Sequence, residues 1–150
     1  MTHPEIQLDA IQLVGIEVRT NNQSSTDIAE LWQTFFANSV QDRIPNCIDS
    51  RFFGLYSHYE SDHNGDYSFM IGCPVSDLNS VPQGMVGREI PAQKYQVVRA
   101  KGAMPDAIIE AWQTVWSSTM PRTFGYDFEI YDDRAMNPEN VEVDIFIAVK

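Results

Sequence analysis

The sequence predicts an α+β fold in which one β-α-β-β unit occurs twice, roughly over residues 1–80 and 81–150 of a single 150-residue domain. Three observations carry this. Two stretches with helical periodicity each lie between extended, β-rich segments, in the same order. Leu31-Trp32-Gln33-Thr34-Phe35-Phe36 parallels Ala111-Trp112-Gln113-Thr114-Val115-Trp116, and Arg51-Phe52-Phe53-Gly54 parallels Arg122-Thr123-Phe124-Gly125. Between the two runs, Pro82-Gln83-Gly84 punctuates the chain.

In chain order, Ile6 to Thr20 reads as one strand with a bulge or bend at Gly15. Asn21 to Ser25 is a polar loop. A helix follows, with Asp27 as cap and Glu30 three residues on. Ile28, Leu31, Trp32, Phe35 and Phe36 trace one apolar stripe along it. Arg51–Glu60 and Tyr67–Val75 read as a hairpin joined by Ser61-Asp62-His63-Asn64-Gly65. The second unit starts with Met85–Lys101, extended but interrupted near Pro91. Pro105 suits the first turn of a helix whose buried face is Ile108, Ala111, Trp112, Val115 and Thr119. Phe124–Asp132 and Val141–Lys150 close the chain as strands, the last alternating cleanly. The expected arrangement is an antiparallel sheet with both helices on one side and a groove between the halves.

Composition narrows the function. With 21 acidic against 10 basic residues the formal charge is −11. Nucleic-acid binders neutralise phosphates with Lys and Arg, so direct DNA or RNA contact is not expected. Anionic membranes are disfavoured for the same reason, and no apolar run is long enough to span a bilayer. The charge suits a cationic ligand or partner, although it also simply keeps a protein soluble. Met1-Thr2-His3-Pro4-Glu5 lacks the features of a signal peptide, which points to the cytoplasm. Cys47, Cys73 and the three histidines have no metal-ligand spacing, so neither metal nor other cofactor is expected.

Strand parity sorts the candidate site residues. Tyr126, Phe128 and Ile130, with Phe53, Leu55 and Tyr59, read as the row packed on the helices. The other row holds Asp127, Glu129 and Tyr131, matched by Tyr56, His58 and Glu60. On the last strand, Glu142, Asp144 and Phe146 oppose the valine–isoleucine row. Carboxylates mixed with aromatic rings describe either a wet outer face or a cleft for an organic cation. Trp32, Phe36, Trp112 and Trp116 read as helix-stripe core, with Trp116 rotated to the stripe's edge, where its ring can cover a groove.

Ile90 to Gly102, the helix with Ala111 to Trp116 and the trailing Pro121, Asp127-Phe128-Glu129-Ile130-Tyr131, and Val143 to Lys150 together resemble the GyrI-like small-molecule-binding family. That family includes the effector-binding domains of AraC-type and MerR-type regulators, and stand-alone members carried on mobile integron gene cassettes. The resemblance spans essentially the whole chain. It implies a duplicated unit and a pocket in which a buried glutamate, here Glu129, meets lipophilic cations among aromatic rings. Trp112, Trp116, Tyr56, Phe146 and Tyr131 are the rings expected around it. The family's proline near the end of the last strand is Ala148 here.

The resemblance also implies a stand-alone ligand-binding module without its own DNA-binding domain, so any DNA-binding partner would be encoded separately. Non-catalytic binding of hydrophobic organic cations, drug-like or dye-like, is the leading reading. Two alternatives are a hydrolase of strained electrophilic molecules that uses Glu129, and a gyrase-inhibitor-like interaction module. The role of His58 is open.

Overall fold

Both long opening segments break where a polar or proline-bearing pair interrupts them, and the breaks shape the molecule. The computed structural model describes residues 4–23, 26–62 and 64–150. Its elements are β1 (Glu5–Leu8), β2 (Ile11–Thr20), α1 (Asp27–Ala37), β3 (Phe52–Ser57), β4 (Tyr67–Pro74), β5 (Val86–Ile90), β6 (Gln93–Gly102), α2 (Asp106–Trp116), β7 (Asp127–Tyr131) and β8 (Val141–Ala148). The order β2-α1-β3-β4 recurs as β6-α2-β7-β8, the duplicated unit expected from the sequence. The expected 61–65 turn lies between β3 and β4, with His63 outside the described residues, as are Ser24 and Ser25 of the earlier loop. No described helix is long and apolar enough to cross a membrane.

The eight strands form one antiparallel sheet in the order β1-β6-β8-β7-β3-β4-β2-β5. The halves meet at its centre, where β3 pairs with β7. The predicted single strand over Ile6–Thr20 is in fact two. Its front piece, β1, crosses to pair with β6 of the other half, and β5 crosses to pair with β2. Two residues link β1 to β2, yet these strands sit towards opposite ends of the sheet. Three Cα steps reach at most about 11 Å. The sheet must therefore curl until its ends approach.

Close strand approach assists the curl. A Cβ on Gly15 would lie 1.9 Å from the Ile71 carbonyl oxygen and 2.5 Å from the Gly72 Cα, so only glycine fits there.

Curling divides the apolar residues into two cores. Inside the curl, Phe53, Phe128 and Phe146 stack in sequence, with ring centroids 5.4 and 4.8 Å apart, beside Leu55, Met70 and Tyr95. Outside, both helices cover Phe69, Ile71, Val143, Ile145 and Ile147. The sequence-based face assignment is thus reversed. The Phe53–Leu55–Phe128 row faces away from the helices, and the Glu129 row faces them. The ladder register shows why: Glu129 stands opposite Ile145, while Phe128 stands opposite Phe146. Cross-strand partners share a face, so Glu129 joins the valine–isoleucine row, while Phe146 stays opposite that row and is parted from Glu129.

The helices also depart from expectation in detail. Thr26, rather than Asp27, occupies the cap of α1, and Asp27 is the first helical residue. The Asp27 carboxylate accepts a hydrogen bond from the Thr20 hydroxyl at 2.9 Å. Phe35 is the buried stripe residue of α1, whereas Phe36, expected in the core, is 58% exposed. Helix α2 buries Ala107, Ala111, Trp112 and Val115 and ends at Trp116, before Thr119.

Candidate functional site

The outer sheet face at the β3–β7 junction is where the two halves, and their helices, come together. Tyr56 on β3 and Glu129 and Tyr131 on β7 form a floor. From α2, Ile108, Trp112 and Trp116 descend as one wall, and from α1, Ile28 and Trp32 form the other. The cavity between them measures about 390 Å³, within the usual range for small-molecule pockets.

Glu129 is 1% exposed. Its Oε2 accepts hydrogen bonds from the Tyr56 hydroxyl at 2.9 Å and the Trp112 indole Nε1 at 2.6 Å. Its Oε1 accepts from the Tyr131 hydroxyl at 2.6 Å. Burial raises the pKa of this carboxyl group, and the three hydrogen bonds pull it the other way. Burial and the neighbouring Glu129 hold the Tyr56 and Tyr131 hydroxyls well above the usual tyrosine range, so both remain donors. Gly54 stands opposite Glu129 across the ladder, where a Cβ would fall 2.9 Å from Oε1. Glycine at this position leaves the carboxylate its space.

A second buried acid lies nearby with a different solution. Asp127, 0% exposed, takes an ion pair from Arg122 Nη2 at 2.8 Å. It also accepts hydrogen bonds from the Tyr59 hydroxyl at 2.7 Å and the Ala148 amide at 2.7 Å. The Arg122 guanidinium lies over the Phe124 ring at 4.3 Å, and its Nε and Nη1 find no hydrogen-bond partner among the described residues. Tyr59 reaches this cluster because His58 adopts a left-handed backbone, φ +53°, which breaks the strand alternation. The expected placement of Tyr59 in the Phe53–Leu55 row is therefore wrong.

Of the residues singled out in the sequence, Glu129, Trp112, Trp116, Tyr56 and Tyr131 line this one cavity. Phe146 does not: it lies on the opposite face of the sheet, stacked on Phe128. His58 is exposed, with its Nδ1 2.8 Å from the Ser57 hydroxyl, and lines no part of the cavity. Sequence reasoning missed Tyr59, Arg122 and Tyr67 in the wall. Arg122 was visible only as half of a repeat match, and nothing in the sequence signals the turn at His58. No cluster of metal-ligating side chains occurs among the described residues.

A family model described as "Integron-associated effector binding protein" matches residues 6–149. The chain belongs to this family. YobU of Bacillus subtilis (strain 168), named as a transcriptional regulator, is 28% identical over 151 residues, covering 95% of this chain and 94% of YobU. An integron cassette protein from the mobile metagenome of Vibrio cholerae is 26% identical in sequence. It superposes with a TM-score of 0.77 over 99% of this chain and 96% of its own. The structure of SAV2435 bound to tetraphenylphosphonium is also 26% identical, with a TM-score of 0.81 over 100% of this chain and 94% of that one. The family is one of effector-binding domains associated with regulators.

Proposed function

We propose that this protein binds hydrophobic organic cations without transforming them, using Glu129 as the counter-charge. One observation carries the reading: a buried carboxylate, held by three neutral donors, at the floor of a cavity walled by aromatic rings. Among the described residues no basic side chain forms an ion pair with Glu129, whereas Asp127 has Arg122. A positive ligand would supply the missing charge. Ring faces add cation–π attraction of roughly 0.5–2 kcal/mol each. Micromolar affinity, about −8 kcal/mol, is within reach of these contributions after association costs. SAV2435, of similar fold, was solved with tetraphenylphosphonium, a cation of this class.

Binding fits the site better than catalysis. Both carboxylate oxygens already accept hydrogen bonds, Oε2 from Tyr56 and Trp112 and Oε1 from Tyr131, which leaves little acceptor capacity to hold and orient an attacking water. In a regulatory setting, contact with DNA would fall to a separate basic partner, because a chain of charge −11 repels phosphates.

Calorimetric titration with tetraphenylphosphonium, beside the neutral triphenylphosphine oxide, tests the reading. The wild type is expected to bind the cation saturably and the neutral compound at least about tenfold more weakly, with Glu129→Gln removing that preference. Equal affinity for both compounds would rule out charge recognition.

A further inference from the structure

A second cavity, of about 300 Å³, adjoins the first behind Trp32, Met104 and Tyr131, which line both. Its far side is an aromatic shelf. Phe36 stacks on Trp32 at 5.8 Å and meets Phe52 edge-on at 5.7 Å, yet remains 58% exposed. The partition between the cavities is the Trp32–Tyr131 pair, edge-to-face at 5.0 Å. Tyr131 belongs to both: its hydroxyl donates to Glu129 in the first cavity while its ring borders the second.

We propose that the second cavity is an annex of the binding site that takes a neutral aryl arm of the same ligand. The protein would then favour elongated cations, with the charged centre at Glu129 and an aromatic arm passing Trp32 and Met104 onto Phe36. This rests on the reading of the first cavity as a cation site. Continuity argues for one occupant, since a separate molecule in the annex would still touch three residues of the first site. The arm is neutral because Asp132, the acid among the described residues that line the annex, is already engaged. Both oxygens of Asp132 accept from Arg134, at 3.0 Å from Nε and 2.9 Å from Nη2. An exposed phenylalanine ring among other rings offers an aryl group a stacking partner and removes apolar surface from water.

Three phosphonium salts test this: methyltriphenylphosphonium with no arm, 6-phenylhexyltriphenylphosphonium with an aryl arm, and 6-aminohexyltriphenylphosphonium with a charged end. The aryl-armed salt is expected to bind the wild type about tenfold tighter than the methyl salt, and the amino-ended salt no tighter than the methyl salt. Phe36→Ala removes the annex shelf at an exposed position, and Ala135→Trp fills the annex from the other side. Both variants are expected to erase the aryl increment while leaving methyl-salt affinity within about twofold. An increment that survives both variants, or an equal gain from the amino-ended arm, overturns the proposal. Failure of all three salts to bind removes the cation-site reading, and this one with it. Binding of all three with equal affinity removes the annex alone.

Discussion

Two carboxylates separated by a single residue on β7 solve the problem of burial in opposite ways. Asp127 is neutralised in place: Arg122 pairs with it, and Tyr59 and the Ala148 amide satisfy its remaining acceptors. Among the described residues, Glu129 receives neutral donors, from Tyr56, Trp112 and Tyr131. The first arrangement is closed and belongs to the architecture, tying the end of β8 to β7. The second is incomplete in charge, and it is the one at the floor of the cavity. On the function proposed above, what sets Glu129 apart is therefore not its burial, which Asp127 shares, but that no basic side chain among the described residues pairs with it.

The largest effect is expected at the closed cluster. Arg122→Met strands the Asp127 charge, and loss of one partner of a buried pair costs roughly 3–5 kcal/mol, measurable by urea unfolding. Arg122→Met with Asp127→Asn should recover much of that loss. If the single change costs no more than a surface substitution, Asp127 is not the structural carboxylate described here.

Glu129→Gln should behave in the opposite sense. Loss of the counter-charge is expected to weaken tetraphenylphosphonium binding by about 2 kcal/mol, some thirtyfold, with stability held or increased. The pH dependence follows from the raised pKa of Glu129. The folded state holds this proton more tightly than the unfolded chain, so its contribution to stability is present in acid. That contribution is lost as pH rises from the ordinary carboxylate range through the raised value. A permanent cation prefers the ionised form. Its binding should therefore strengthen across the same window and release a proton, and the Gln variant should show neither effect. Calorimetry in buffers of different ionisation enthalpy counts that proton.

Smaller effects sharpen the contrast. Gly54→Ala places a methyl group 2.9 Å from the Glu129 Oε1, and the displaced carboxylate should cost about threefold to tenfold in cation affinity. Phe146→Leu tests the face assignment from the other side. Conservative repacking inside the curl should lower stability by about 1 kcal/mol and leave cation affinity within about twofold. A marked loss of binding would return Phe146 to the pocket.

Much of this protein was legible in the residues. Their periodicities identified both helices, the doubled β-α-β-β order and the clean alternation of β8, because apolar spacing reports which side of an element is covered. Residue type and order leave the Glu129 face as either a wet surface or a cleft and Trp112 as core; it is the family resemblance that makes Glu129 and Trp112 site candidates. Parity, however, separates two faces without saying which one the helices cover. That was decided by the register of Glu129 on Ile145 and Phe128 on Phe146, a long-range pairing that local pattern does not encode. It sent Phe146 inside the curl and Glu129 beneath Trp112.

The exchange of β1 and β5 between halves, the left-handed turn at His58 that brings Tyr59 to Asp127, and the annex behind Trp32 are likewise products of assembly. Sequence alone determined which residue types alternate and where elements begin, since those depend on neighbours a few positions away. Only the tertiary structure decided which buried acid received a cation, because Arg122 meets Asp127 with its guanidinium held over the rings of Phe124, in the loop ahead of β7, and Trp112, on α2. Among the described residues, that pairing left Glu129 as the buried acid with no basic partner.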